Sequence, residues 1–253
     1  NAAAVDGPLA GLVIQAVSTG RLQIGANASS ATAWASGTND TVDATHTAYW
    51  TGAANANGTL NGFTVLAKDN LAALSTTVVQ VQMSVTAVND APVNTLAASN
   101  AYVMEDASKT FNSGSGYLLT VSDADDTGQS GSTDYLSTVV SVSHGILTAT
   151  TGGATLTNNS SSSVTIAGTA SQVNTALSGL LYTPTANYNG ADTLTITTSD
   201  SGYTGGGTLT DTDTMAITVN PENDRPVNTL TVTTATLSEN GSRPFNAVNL
   251  NQI

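Results

Sequence analysis

One block of eight residues occurs twice in this chain, and it constrains the fold more than any other feature. Asn89-Asp90-Ala91-Pro92-Val93-Asn94-Thr95-Leu96 returns as Asn223-Asp224-Arg225-Pro226-Val227-Asn228-Thr229-Leu230, an offset of 224 − 90 = 134. Glu105 maps onto Glu239 and Phe111 onto Phe245 at the same offset. A register held over more than about twenty residues marks an internal repeat.

A second match ties the start of the chain to its middle. Tyr49-Trp50-Thr51 and Asn57-Gly58 align with Leu181-Tyr182-Thr183 and Asn189-Gly190 at an offset of 132, and Ser18-Thr19-Gly20-Arg21-Leu22 aligns with Ser143-His144-Gly145-Ile146-Leu147 at 125. Three segments follow: 1–91, a repeat lacking its first strands; 92–225, a complete repeat; and 226–253, the first strands of a third. Residues 226–253 correspond to 92–119, and residue 1 corresponds to about 126. The last segment therefore holds nearly what the first one lacks. Two readings are open. The chain is a window on a longer tandem array, or the 226–253 segment of one subunit completes the 1–91 unit of the next by donating strands.

The local pattern predicts strands. Val79 to Val85 alternates apolar and polar, as do Leu194-Thr195-Ile196-Thr197 and Met215-Ala216-Ile217-Thr218-Val219. Period-two alternation rich in Val and Thr, punctuated by Gly, Asn and Asp, reads as half-buried antiparallel strands and a β-sandwich. One helix is expected. Thr169-Ala170-Ser171-Gln172 has the form of a capping box, Val173, Ala176, Leu177 and Leu180 make an apolar stripe, and Gly179 is a stop. The fold class is all-β: tandem antiparallel sandwiches in series with one short helix in the complete repeat.

Charge narrows the partners. Only 9% of the 253 residues are charged, yet the formal net charge is −13 with five Lys plus Arg. Nucleic acid and anionic membranes call for basic patches, so neither is expected. No apolar run approaches the roughly 20 residues of a membrane span. The polar surface must be Ser, Thr, Asn and Gly, which suits an extracellular protein. There is no cysteine, so a secreted chain of this kind needs a large core or bound metal as its staple.

The few carboxylates gather near the repeat boundaries. Asn89-Asp90 and Glu222-Asn223-Asp224 lie in the linkers, Glu105-Asp106 and Asp123-Ala124-Asp125-Asp126 follow the first linker, and Asp69 and Asp200 each close a strand ahead of the next linker. Carboxylates drawn into one joint repel unless a cation neutralises them, and hard oxygen donors at flexible geometry suit calcium. The alternative is that they are ordinary turn residues.

This pattern resembles the cadherin-like tandem repeats of large bacterial surface adhesins and biofilm-associated extracellular proteins. The resemblance is carried by the Asn-Asp-x-Pro linkers, Glu105, and Asp123-x-Asp125. It is carried too by Leu181-Tyr182-Thr183-Pro184 with Asn187-Tyr188-Asn189-Gly190-Ala191-Asp192-Thr193-Leu194. It implies Ig/cadherin-like sandwiches stiffened by Ca2+ at their joints, on the bacterial cell surface or in a filament. Carried over, Asn89, Asp90, Asp69, Asp123 and Asp125 form the first joint, while Glu105, Asp200, Asn223 and Asp224 serve the second. The first repeat shows no counterpart of Glu105. The expected partners are other copies or repeats of the chain and calcium ions.

Catalysis is not expected. No nucleophile elbow, phosphate loop or zinc motif is present, and the paired carboxylates fall at repeat joints, not in a unique cleft. His46 and His144 read as surface or turn residues. The aromatic residues Trp34, Trp50, Phe63 and Tyr182 would be the platform of a carbohydrate-binding accessory module, but the alignment of Trp50 with Tyr182 favours a shared core role.

Overall fold

A computed structural model describes residues 8–126, 135–202, 205–227 and 236–242. Most of 226–253 therefore lies outside the described residues. Two all-β units follow one another, and no strand of one pairs with a strand of the other among the described residues.

The first unit holds β1 (Leu9–Val17), β2 (Arg21–Gly25), β3 (Thr32–Ala33), β4 (Thr41–Val42), β5 (Thr47–Thr51), β6 (Gly58–Asp69) and β7 (Val79–Val85). They form two sheets, β4-β1-β6-β7 and β3-β2-β5. The second unit holds β8 (Val93–Leu96), β9 (Asn100–Met104), β10 (Lys109–Phe111), β11 (Leu119–Ser122), β12 (Leu136–Ser141) and β13 (Gly145–Thr148). After them come β14 (Thr155–Thr157), β15 (Ser163–Gly168), α1 (Ala170–Leu177), β16 (Leu180–Pro184), β17 (Gly190–Ser199) and β18 (Thr210–Asn220). Its sheets are β14-β15-β12-β17-β18-β9, β10-β16-β13 and β11-β8.

The repeat offsets return as strand register. Leu22 opposes Trp50 as Leu147 opposes Tyr182, and Gly58 opposes Val85 as Gly190 opposes Val219. So β1, β2, β5, β6 and β7 are the counterparts of β12, β13, β16, β17 and β18. The alternating runs read from the sequence are β7, β17 and β18, and in the second unit their apolar members are in the core: Leu194, Ile196, Met215, Ile217 and Val219.

The helix forms because its ends are satisfied. The Thr169 hydroxyl accepts from the Gln172 backbone N–H, and the Gln172 side chain accepts from the Thr169 N–H at 3.0 Å. Val173, Ala176 and Leu177 are buried. Leu180 differs from expectation: the helix ends at Leu177, and Leu180 enters the core as the first residue of β16. A two-turn helix and the strand after it share one buried face there, so the apolar spacing does not mark the boundary.

A buried polar triad ties β8 to the larger sheet. The Thr198 hydroxyl donates to Asn94 Oδ1 at 2.6 Å and lies 3.0 Å from the Thr138 hydroxyl. The Asn94 N–H donates to Asp211 at 2.7 Å. Burial of these groups is tolerable because each has a partner.

Candidate functional site

The joint between the units is built from three loops. The linker after β7 brings Asn89 and Asp90, the turn after β11 brings Asp123, Asp125 and Asp126, and the turn after β17 brings Asp200. Asn89 Nδ2 donates to Asp200 Oδ2 at 2.6 Å and to the Gly207 carbonyl at 2.9 Å. Asp200 Oδ1 accepts from the N–H groups of Gly202 and Leu209, both at 2.9 Å. The Asp90 N–H donates to Asp125 Oδ2 at 2.7 Å, and the Asp125 N–H donates to Asp123 Oδ1 at 2.8 Å. Asp126 accepts from the Ala170 N–H at the start of α1, at 2.6 Å.

One oxygen stands apart. Asp123 Oδ2 is buried and makes no hydrogen bond. Burial pushes the Asp123 carboxyl above the usual carboxylate range, and the charges of Asp125, Asp200 and Asp126 push it further, against the lowering effect of the Asp125 N–H. Beside this cluster a cavity of about 240 Å³ separates the units, lined by Asn55, Asn57, Val85, Thr86 and Val88 of the first unit and its linker, with Asp90 and Asp125 below.

Asn89, Asp90, Asp123 and Asp125 lie together at this joint. Two assignments are corrected. Asp69 sits at the far end of β6, where it accepts from the N–H groups of Leu71 at 2.9 Å and Ala73 at 2.7 Å and closes a turn. Asp200 belongs to the first joint, not the second. The cause is the same for both. Asp69 and Asp200 are each followed by one more strand, β7 or β18, which carries the chain to the opposite end of the sandwich.

Glu105 does lie at the second linker. Its Oε1 accepts from the Glu222 N–H at 2.7 Å and its Oε2 from Asn189 Nδ2 at 3.2 Å. Among the described residues, Asn223 donates to the Asp224 carbonyl at 3.4 Å, and both residues are exposed. At the first joint Asp123 Oδ2 has no partner, whereas both oxygens of Asp200 there, like both oxygens of Glu105 at the second joint, are engaged. Among the described residues, no three His, Asp or Glu side chains are gathered closely enough to form a ready metal cage.

Sequence reasoning placed Asp126 in the acidic run but not among the ligands, and it missed Asn57 and Asn189 as joint residues, although the paired Asn-Gly signals at 57–58 and 189–190 mark them. It also missed a structural network. Tyr182 Oη donates to Asp192 Oδ2 at 2.8 Å and lies 3.1 Å from the His144 carbonyl. Burial opposes ionisation of Asp192, but the N–H groups of Ser143, Thr193 and His144 and the Tyr182 hydroxyl outweigh it and hold the group below the usual range. Burial raises the Tyr182 phenol, and Asp192 adds to that. The first unit keeps half of this arrangement: Trp50 Nε1 donates to the Thr19 carbonyl at 2.7 Å. Tyr182 and Phe63 are in the core, and Trp34 and Trp50 are half-buried against it.

No protein family model matches the sequence, and no curated relative matches it. Solved structures that align include the fibronectin(III)-like modules of Clostridium thermocellum CbhA, at 12% identity over 89% of this chain and 99% of that one, with a TM-score of 0.27. The endo-fucoidan hydrolase MfFcnA4 of glycoside hydrolase family 107 aligns at 16% identity over 85% of this chain, with a TM-score of 0.24. A second such hydrolase, MfFcnA9, aligns at 15% over 84% with a TM-score of 0.22. The chain spans about a quarter of the length of these hydrolases, 24% and 28%. At these TM-scores the alignments carry no functional weight. No helix among the described residues is long and apolar enough to cross a membrane.

Proposed function

We propose that this chain is a structural, non-catalytic segment of an extracellular bacterial surface array or filament, in which calcium stiffens the joint between successive sandwiches. The observation that carries this reading is the buried, unpartnered Asp123 Oδ2 among the carboxylates of Asp125, Asp126 and Asp200. An ionised oxygen there, with no donor, opposes the folded joint. A calcium ion would supply the missing positive charge and take oxygens from Asp123, Asp125, Asp90 and Asp200, which the linker and two turns of the second unit bring together. Tying the linker to the turns after β11 and β17 would limit bending between units. Most charged groups of the chain are acidic, which suits a protein whose counterion is a bound cation.

The test is thermal unfolding in EDTA and in millimolar calcium, for the natural chain and for Asp123→Asn. A ligand that binds only the folded state raises its stability, by about 2.7 kcal/mol at a hundredfold excess over Kd. The natural chain is expected to melt several degrees higher in calcium, and Asp123→Asn to lose most of that shift. Identical melts with and without calcium would remove calcium from the joint.

A further inference from the structure

The two units are one ladder with different coverage. In the second unit, β9 adds in parallel to the edge of β18 and β10 adds to the edge of β16. In the first unit the counterparts, β7 and β5, are the end strands of their sheets among the described residues. The consequence is visible in burial. Met215, Ile217, Val219 and Tyr182 are fully buried, whereas Val81, Met83, Val85 and Trp50 in the same places are only half-buried. A bare edge with apolar residues behind it is a template for another strand.

The occupant is written in the sequence. In the second unit the side chains that β9 and β10 put into the core are Ala101, Val103 and Phe111, at 1%, 5% and 0% exposure. At the offset of 134 these become Ala235, Leu237 and Phe245, and Glu105 becomes Glu239. Every inward position stays apolar. The β9 register translates directly: Tyr102 opposite Thr218 becomes Thr236 opposite Ser84, and Val103 opposite Val219 becomes Leu237 opposite Val85.

The joint cavity fits the same occupant. Glu105 is held in the second unit by Asn189 and the Glu222 N–H, beside Val219 and Asn220. The counterparts of these four residues are Asn57, Val88, Val85 and Thr86, and all four line the 240 Å³ cavity above Asp90 and Asp125. The cavity is the place where a counterpart of Glu105 would lie, and residues 8–85 supply none.

We propose that residues 234–245 of a second copy of this chain add to the open edges of the first unit, seating Leu237 and Phe245 in its core and Glu239 in the joint cavity. The chain's own segment does not reach. From Asn220 to Thr234 there are 234 − 220 = 14 residues, at most about 50 Å when extended. To pair in parallel with its own β7, that stretch must retrace β18, about 35 Å, cross the joint, climb past Gln82 and turn. Between copies no such detour exists, because the donor's second unit stacks on the acceptor's first unit as the two units of one chain stack. A head-to-tail contact of this kind is heterologous and propagates into a filament. The copy of β8 contributes less, since Leu12 and Ala67 stand where Thr138 and Thr198 hold Asn94, so Asn228 finds no such partners.

The chain has no cysteine, so a register-specific crosslink is a clean test. Chains carrying Ser84→Cys are mixed with chains carrying Thr236→Cys, in EDTA, unfolded and refolded together, and oxidised. A disulfide-linked dimer of twice 25.3 kDa is expected. Gln82→Cys, two residues out of register, is expected to give under a tenth of that yield with the same partner. Adding Leu237→Asp and Phe245→Asp to the Thr236→Cys chain is expected to abolish the dimer while the second unit still unfolds at its usual temperature. No dimer, an equal yield from Gln82→Cys, or a dimer that survives the two aspartates would overturn the proposal. Because the experiment runs in EDTA, its result is independent of calcium at the joint.

Discussion

The two sandwiches share a register and differ in how far each is closed. In the second unit, β8, β9, β10, β11 and α1, which have no counterpart among the described residues of the first, surround the common ladder. More than twenty side chains form one buried core. In the first unit, the buried core among the described residues is Ile14, Leu22, Ile24, Phe63 and Val65. Its ladder is also less regular: β1 slips against β6 at two places and β6 against β7 at one, while β12, β17 and β18 pair without a shift. The lesson is that a strand pattern specifies a ladder, but covering elements decide how much apolar area the ladder buries, and burial is what stabilises it.

Several changes would break or sharpen this contrast, and the largest is in the covering elements. Phe111→Ala should cost the second unit roughly 3–5 kcal/mol, since the side chain is wholly buried and would leave a cavity. Its counterpart Phe245→Ala should leave the second unit's melting unchanged. Unfolding curves of the two variants, followed by near-ultraviolet circular dichroism, make the comparison.

Next is the aromatic corner. Tyr182→Phe leaves buried Asp192 without one of its donors and should cost about 1–3 kcal/mol. Trp50→Phe removes a single bond to the exposed Thr19 carbonyl and should cost less, about 0.5–1.5 kcal/mol. Equal losses from urea titrations would mean that the two corners carry the same load despite their different burial.

A smaller effect separates two aspartates by sign. Asp192 has a lowered folded value, so its contribution is present above the ordinary carboxylate value near 3.9 and is lost as pH falls through the lowered one. Asp123 has a raised folded value, so its contribution is present below the ordinary value and is lost as pH rises through the raised one. In EDTA at pH 7, Asp123→Asn should therefore be the more stable chain, by at most about 1 kcal/mol because the group is partly solvated. The gain should vanish by about pH 4. Asp192→Asn should be the less stable chain at pH 7, and its deficit should shrink in acid. Melts of both variants across this range check the signs. At the bottom of the scale, His46→Ala, on an exposed turn of the first unit, should change stability by less than about 0.5 kcal/mol.

Much of this was legible in the residues themselves. The offsets of 132 and 134 are the register of β6 on β7 and of β17 on β18, because a repeated pattern of inward side chains leaves only one pairing that keeps them inward. Thr169 and Gln172 announce the start of α1, since capping is local chemistry. The linker aspartates and Asp123-x-Asp125 meet because they flank the same end of one sandwich. What was not legible depends on direction. Asp69 and Asp200 look close to the following linker along the chain, yet a strand's length separates them from it in space. Asp126 was named in the acidic run without its role and Asn57 was passed over, because one serves the start of a helix and the other a turn, and neither role stands out in a chain rich in Asn and Asp.

The central claim is that the carboxylates of the first joint hold a calcium ion. The most direct measurement is a calorimetric titration of calcium into the metal-free chain, with Asp123→Asn and Asp69→Asn alongside. Saturable binding that is lost in Asp123→Asn and kept in Asp69→Asn is the predicted result, because only the first of these residues lies at the joint. Absence of binding, or binding unaffected by Asp123→Asn, would contradict it.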